Sequence, residues 1–82
     1  MEAKFEASES SVEQFEEIAG VHGGVEVRAR FHVLHGSRGT RHEIVLEARG
    51  HCAVVDVPRG GDPRSVAERA MSVFGHSVAA RL

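Results

Sequence analysis

Ten consecutive residues of this chain alternate without a break: Val25, Val27, Ala29, Phe31 and Val33 stand between Glu26, Arg28, Arg30, His32 and Leu34. Side chains of an extended strand point to opposite faces with period two, so the segment reads as a strand with one face in a core and one in solvent. Such a strand needs neighbours, because an isolated one has nothing to bury its apolar row against. The following residues supply them. After the turn His35-Gly36-Ser37-Arg38-Gly39-Thr40, the residues His42, Ile44, Leu46 and Ala48 alternate with Arg41, Glu43, Val45, Glu47 and Arg49. Gly50 breaks this strand, and residues 51–57 form another with Ala53, Val55 and Val57 inward. Both links are short enough for antiparallel hairpins.

Elements are expected on either side of these strands. Residues 2–7 alternate, with Ala3, Phe5 and Ala7 opposite Glu2, Lys4 and Glu6, as a first strand does. In residues 10–20, Ser10 or Ser11 can cap a helix, Glu13 or Gln14 can close the capping box, and Gly20 supplies a stop. Val12, Phe15, Ile18 and Ala19 fall at helical spacing between them. Asp62 and Pro63 favour the N-cap and first position of a second helix, with Ala67, Ala70, Met71, Phe74 and Val78 as its apolar stripe. Val66 and Val73 flank that stripe, and Gly75 is expected off the core face. The expected fold is α+β in the order β-α-β-β-β-α. A right-handed crossover through residues 8–24 makes the first two strands parallel, giving a four-stranded mixed sheet with two helices on one face. Its expected core is Phe5, Val12, Phe15, Ile18, Val27, Phe31, Ile44, Leu46, Val55, Ala70 and Phe74. Truncating Phe74 to Ala is expected to cost about 3–5 kcal/mol, as for a buried ring.

With 82 residues, the chain is read as a single domain over 1–82, too small for a large enzyme. No apolar run approaches the roughly 20 residues of a membrane span, and the N-terminus lacks the apolar run of a signal peptide, so a cytoplasmic protein is expected. The one cysteine, Cys52, allows neither an internal disulfide nor a four-cysteine metal framework. The net charge of −2 is unevenly spread: residues 1–27 hold one lysine against seven glutamates, and residues 28–82 nine arginines against five carboxylates. An acidic end joined to an arginine-rich remainder suggests a polar partner surface.

From Val25 onward the pattern resembles the N-terminal domain of the ribosome hibernation-promoting factors, the ribosome-associated inhibitor A family. Three features carry the resemblance: the opening strand over 25–34; the strand Ile44-Val45-Leu46-Glu47-Ala48-Arg49 followed by Ala53-Val54-Val55-Asp56-Val57; and a closing helix from Asp62. The resemblance implies a non-enzymatic protein that lodges in the decoding region of the small ribosomal subunit and blocks messenger and transfer RNA there. The same elements are similar, more weakly, to the double-stranded RNA-binding domain. In that comparison residues 35–42 occupy the groove-contacting loop, and Pro63 and Arg64 stand where that family places a lysine pair.

Arg28, Arg30, Arg38, Arg41, Arg49, Arg64 and Arg69 are the candidate nucleic-acid contacts, since several guanidinium groups on one sheet face suit successive phosphates. Their partner is expected to be ribosomal or structured RNA, with the acidic segment facing away from it. Cross-strand pairing is the competing explanation, because Glu43 and Glu47 share a face with Arg28, Arg30, Arg41 and Arg49. The second functional reading is a small module, for example a phage-type inhibitor, that binds a protein complex through its charged surface. An exposed strand edge also allows a homodimer by strand addition.

Neither catalysis nor a cofactor is expected. His51 and Cys52 are adjacent on a strand and so point to opposite faces, out of reach of each other as base and nucleophile. His32 and His35 lie three apart, again on opposite faces, and Cys52 has no second soft ligand for a metal. His42 points inward by phase at a strand end. Pro58-Arg59-Gly60-Gly61-Asp62 lacks the Lys and Ser or Thr of a phosphate loop.

Overall fold

The computed structural model describes residues 11–82; the expected strand at residues 2–7, with Phe5, lies outside them. The three strands read from residue 25 onward form as β2 (Val25–Gly36), β3 (Gly39–Ala48) and β4 (His51–Asp56). They pair antiparallel, with Phe31 opposite Ile44 and Ile44 opposite Val55. Gly36 pairs with Gly39 and Ala48 with His51, so each hairpin closes through two residues. In the second turn Arg49 and Gly50 have φ of 50° and 82°. Positive φ at both central positions matches the right-handed twist of the strands it joins.

Residues 11–19 do not form the expected helix. They belong to β1 (Ser11–His22), which runs antiparallel to β2 from Ser11 opposite His35 to His22 opposite Val25. The sheet is therefore antiparallel throughout, in the order β1-β2-β3-β4. Among the described residues, β-α-β-β-β-α with a mixed sheet and two helices gives way to four antiparallel strands and one helix, α1 (Pro63–Arg81). The physical reason is a β-bulge. The register shifts between Gln14 and Glu16, so Phe15 and Glu16 together oppose Phe31. An extra residue breaks the period of two and leaves apolar residues three apart, which imitates a helix. Gly23 and Gly24, at φ of 65° and 81°, make the turn into β2 that a parallel crossover would not have needed.

The core lies between one sheet face and α1. Val25, Val27, Ala29 and Phe31 of β2, and Ile44, Leu46 and Ala48 of β3, are buried against Ala67, Met71 and Val78 of the helix. Of the expected core, Val27, Phe31, Ile44 and Leu46 are buried, while Ile18, Val55, Ala70 and Phe74 are packed at its margin. Val12 and Phe15 are corrections, at 59% and 50% exposed, because the element that was to carry them inward is an edge strand. The Phe15 ring still rests 5.8 Å from that of Phe31.

The N-terminus of α1 is built as expected. Asp62 Oδ2 accepts from the Ser65 hydroxyl at 2.8 Å and from the Ser65 backbone N–H at 3.3 Å, and Pro63 follows in the first turn, where its missing N–H costs nothing. The Ser65 hydroxyl, with the Ser65 amide second, holds the Asp62 carboxyl below the usual carboxylate range. Ala67, Met71 and Val78 of the expected stripe form the buried line, but the helix is turned slightly from the expected phase, so that Gly75 joins them while Ala70 and Phe74 pack at the margin. Gly75 is thus at the contact, not off it. A Cβ there would lie 2.6 Å from both the Cβ and the carbonyl oxygen of His22, so only glycine lets α1 approach the β1–β2 turn this closely.

Candidate interaction surface

The alternation that buries one sheet face leaves the other open. Register places Val12, Gln14, Glu17, Ala19 and Val21 of β1 on that face, followed by Glu26, Arg28, Arg30, His32 and Leu34 of β2. Arg41, Glu43, Val45 and Glu47 of β3, and Cys52, Val54 and Asp56 of β4, complete it. Three arginines share this surface with five carboxylates, so the face is not a basic one. Arg28 stands opposite Glu47 in the register, and Arg30 Nη2 donates to Glu47 Oε1 at 3.4 Å. Both partners are about a third exposed or more, which makes this an ordinary surface pair of small energetic weight.

The remaining expected contacts are scattered. Arg38 is in the β2–β3 turn and Arg49 in the β3–β4 turn, at opposite ends of β3. A ten-residue strand puts those ends about 35 Å apart. Arg64 leaves the first turn of α1 to pair with Glu16 on β1, and Arg69 stands on the helix beside β4. Only Arg28, Arg30 and Arg41 share the open face, so the seven arginines do not converge. The histidines are likewise apart: His32 is on the open face, whereas His35 meets Glu13 on the other at 3.4 Å. His42 is inward, as its phase indicated, with its ring edge-on to Phe15 at 6.3 Å. Its Nδ1 is buried without a hydrogen-bond partner among the described residues. The Cys52 thiol is exposed.

A different surface concentrates unsatisfied chemistry. Helix α1 lies mainly across β2, with β1 and β3 under its flanks, and scarcely reaches β4. The gap is a cavity of about 550 Å³ between the helix and the last strand. Ala53 and Val55 contribute to its floor, and Val66, Ala70, Val73 and Phe74 to its helical wall, with Arg69 and Asp56 also lining it. Val73 is 69% exposed, and Val54, on the opposite face of the same strand, is 59% exposed. The wall was half visible in the sequence. Val66 and Val73 beside an already sufficient apolar stripe give α1 more apolar surface than one sheet contact consumes.

The strand beside this groove has a free edge. Val57 N–H donates to the His42 carbonyl at 3.1 Å, continuing the β3–β4 register. In an antiparallel ladder a residue's N–H and C=O point to the same side and successive residues alternate. The odd-numbered residues of β4 are therefore bonded to β3, and Cys52, Val54 and Asp56 direct their backbone groups outward. Among the described residues, no strand lies beyond them. The other edge of the sheet is protected: β1 carries the bulge at Phe15 and the charges of Glu13, Glu16 and Glu17. On β4 there is no bulge and no proline, and one charged residue, Asp56.

No protein-family model, curated protein or solved structure matches the chain. Among the described residues, no helix is long and apolar enough to cross a membrane.

Proposed function

We propose that this protein is a small, non-catalytic interaction module of the cytoplasm that binds a protein partner through the outer edge of β4 and the apolar groove beside it. The observation that carries this reading is their coincidence: three outward pairs of backbone groups and the 550 Å³ groove lie along the same six-residue strand. Strand addition gains affinity from main-chain hydrogen bonds, and neighbouring apolar pockets give it selectivity. The groove offers such pockets at Val66, Val73 and Phe74.

The reading that ribosomal or structured RNA is the partner has one supporting feature, Arg38 and Arg41 together at the tip of the β2–β3 hairpin, where they line a cavity of about 400 Å³. Photoreactive side chains introduced singly at Val54, Val73, Arg28 and Arg41 distinguish the two. On irradiation in a lysate, the interaction module gives nuclease-resistant protein adducts of defined mass at Val54 and Val73 and little at Arg28. Nuclease-sensitive adducts at Arg28 and Arg41, with none at Val54, would replace this reading with the RNA one.

A further inference from the structure

We infer that the strand added to β4 is the β4 of a second copy of this chain, antiparallel, with the twofold axis through Val54. This rests on the interaction-module reading and goes further by naming the partner and its register.

The outward groups of β4 belong to Cys52, Val54 and Asp56, three residues spaced symmetrically about Val54. A copy rotated about that residue places Val54 opposite Val54 and Cys52 opposite Asp56. Each of these is then a pair that exchanges both N–H···O=C bonds, so all three free N–H groups and all three free carbonyls of each strand find a partner. A shift by one residue would turn bonded groups toward the new strand and leave the free ones unmatched. The side chains agree with this axis. On the helix side Ala53 meets Val55 of the partner copy, small against large, which continues the apolar floor of the groove across the junction. On the open side each Asp56 falls opposite a Cys52, so no carboxylate of one β4 faces a carboxylate of the other. The result is one continuous eight-stranded antiparallel sheet with both helices on the same face. Six residues a side is smaller than the roughly 20–30 of a standard interface, so the pairing is reversible and fills with rising concentration.

The test reads mass against concentration by light scattering on the full chain. The expected mass rises from 8.9 kDa toward twice that value. Val54→Pro keeps the chain at the monomer mass with its circular dichroism unchanged, because the N–H it removes makes no bond within the chain. A covalent readout needs no folded proline variant. In Val54→Cys on a Cys52→Ser background, the axis sets the paired Cα atoms about 5.5 Å apart, within disulfide range, and mild oxidation links two chains. Cys52 of the unmodified chain lies about 13 Å from its counterpart, four residues along the strands, and does not link. A mass that stays at 8.9 kDa into the millimolar range would overturn the inference, as would a dimer that survives Val54→Pro or one that links through Cys52. Monomeric behaviour together with adducts at Val54 to a different protein rejects the second copy and leaves the broader reading standing; absence of both rejects the two together.

Discussion

Replacing Gly75 by Ala separates two accounts of α1 by the sign of its effect. If the glycine faced solvent, Ala would stabilise the helix by about 1 kcal/mol through its better propensity. In this fold the new Cβ arrives 2.6 Å from both the Cβ and the carbonyl oxygen of His22. Carbon atoms rest about 3.5–4.0 Å apart, so helix and turn must separate by about 1 Å, and a gap of that size forfeits up to about half of the dispersion energy of the contacts it opens. The buried neighbours along the same line, Met71 and Val78, are the ones that lose contact. Overpacking of this kind costs about 1–3 kcal/mol. Set against the propensity gain, Gly75→Ala destabilises the domain by up to about 2 kcal/mol. For a domain of this size that lowers Tm by up to about 16 °C. Urea unfolding followed by far-ultraviolet circular dichroism measures it, with an unchanged slope against denaturant confirming that the same transition is compared. A Gly75→Ala protein more stable than the parent would refute the placement of α1 on the β1–β2 turn.

Three further outcomes follow from the packing. Phe31→Ala removes a ring that is 2% exposed and costs about 3–5 kcal/mol in urea unfolding, and Phe74→Ala costs distinctly less because its ring lies at the margin of the core. The lowered Asp62 carboxyl makes the unfolded chain bind the proton more readily than the folded one. Its stabilising contribution is therefore complete above the ordinary value of 3.8 and is lost as pH falls below it, through the folded pKa. Thermal melts between pH 7 and pH 2 see this as a component that Asp62→Asn, still able to cap, removes. Finally, replacing Arg28, Arg30 and Arg41 together leaves binding to structured RNA and its salt slope unchanged in polarisation assays. A phosphate-binding face would lose about one unit of slope per arginine.

How much of this was legible in the sequence differs along the chain. From Val25 to Val57 the alternation gave both the strands and their faces, because an unbroken period of two over a half-buried sheet admits one register. The helix reading failed at Gly75 and Phe74, and the strand reading in residues 11–24. There the bulge at Phe15 adds one residue, the inward phase changes, and Val12, Phe15 and Ile18 acquire the spacing of a helix. Ser10, Ser11, Glu13 and Gln14 reinforced that reading with residues that cap helices equally well. The decisive signal was present but local: Gly23-Gly24 stands two residues wide between His22 and Val25, which is the length and composition of a hairpin turn. The spread of the arginine set over several surfaces has another origin. Periodicity correctly put Arg28, Arg30 and Arg41 on the open face, but which acidic residues join them depends on the neighbouring strand. Once residues 11–22 became β1, Glu17 came to stand beside Arg30. The edge and groove at β4 depend on where α1 settles across the sheet, which no property of the helix sequence by itself determines.

The claim that partners add at the outer edge of β4 is tested most directly by residue-resolved hydrogen exchange across a concentration series of the full chain. At high dilution the account predicts alternation along the strand, with the Ala53 and Val55 amides slow and those of Cys52, Val54 and Asp56 fast. As concentration rises, the three fast amides slow together, and the exchange of Arg28 and Arg30, already bonded within the sheet, stays as it was. Amides at Cys52, Val54 and Asp56 that are slow even at high dilution, or that stay fast while Arg28 and Arg30 gain protection, would contradict it.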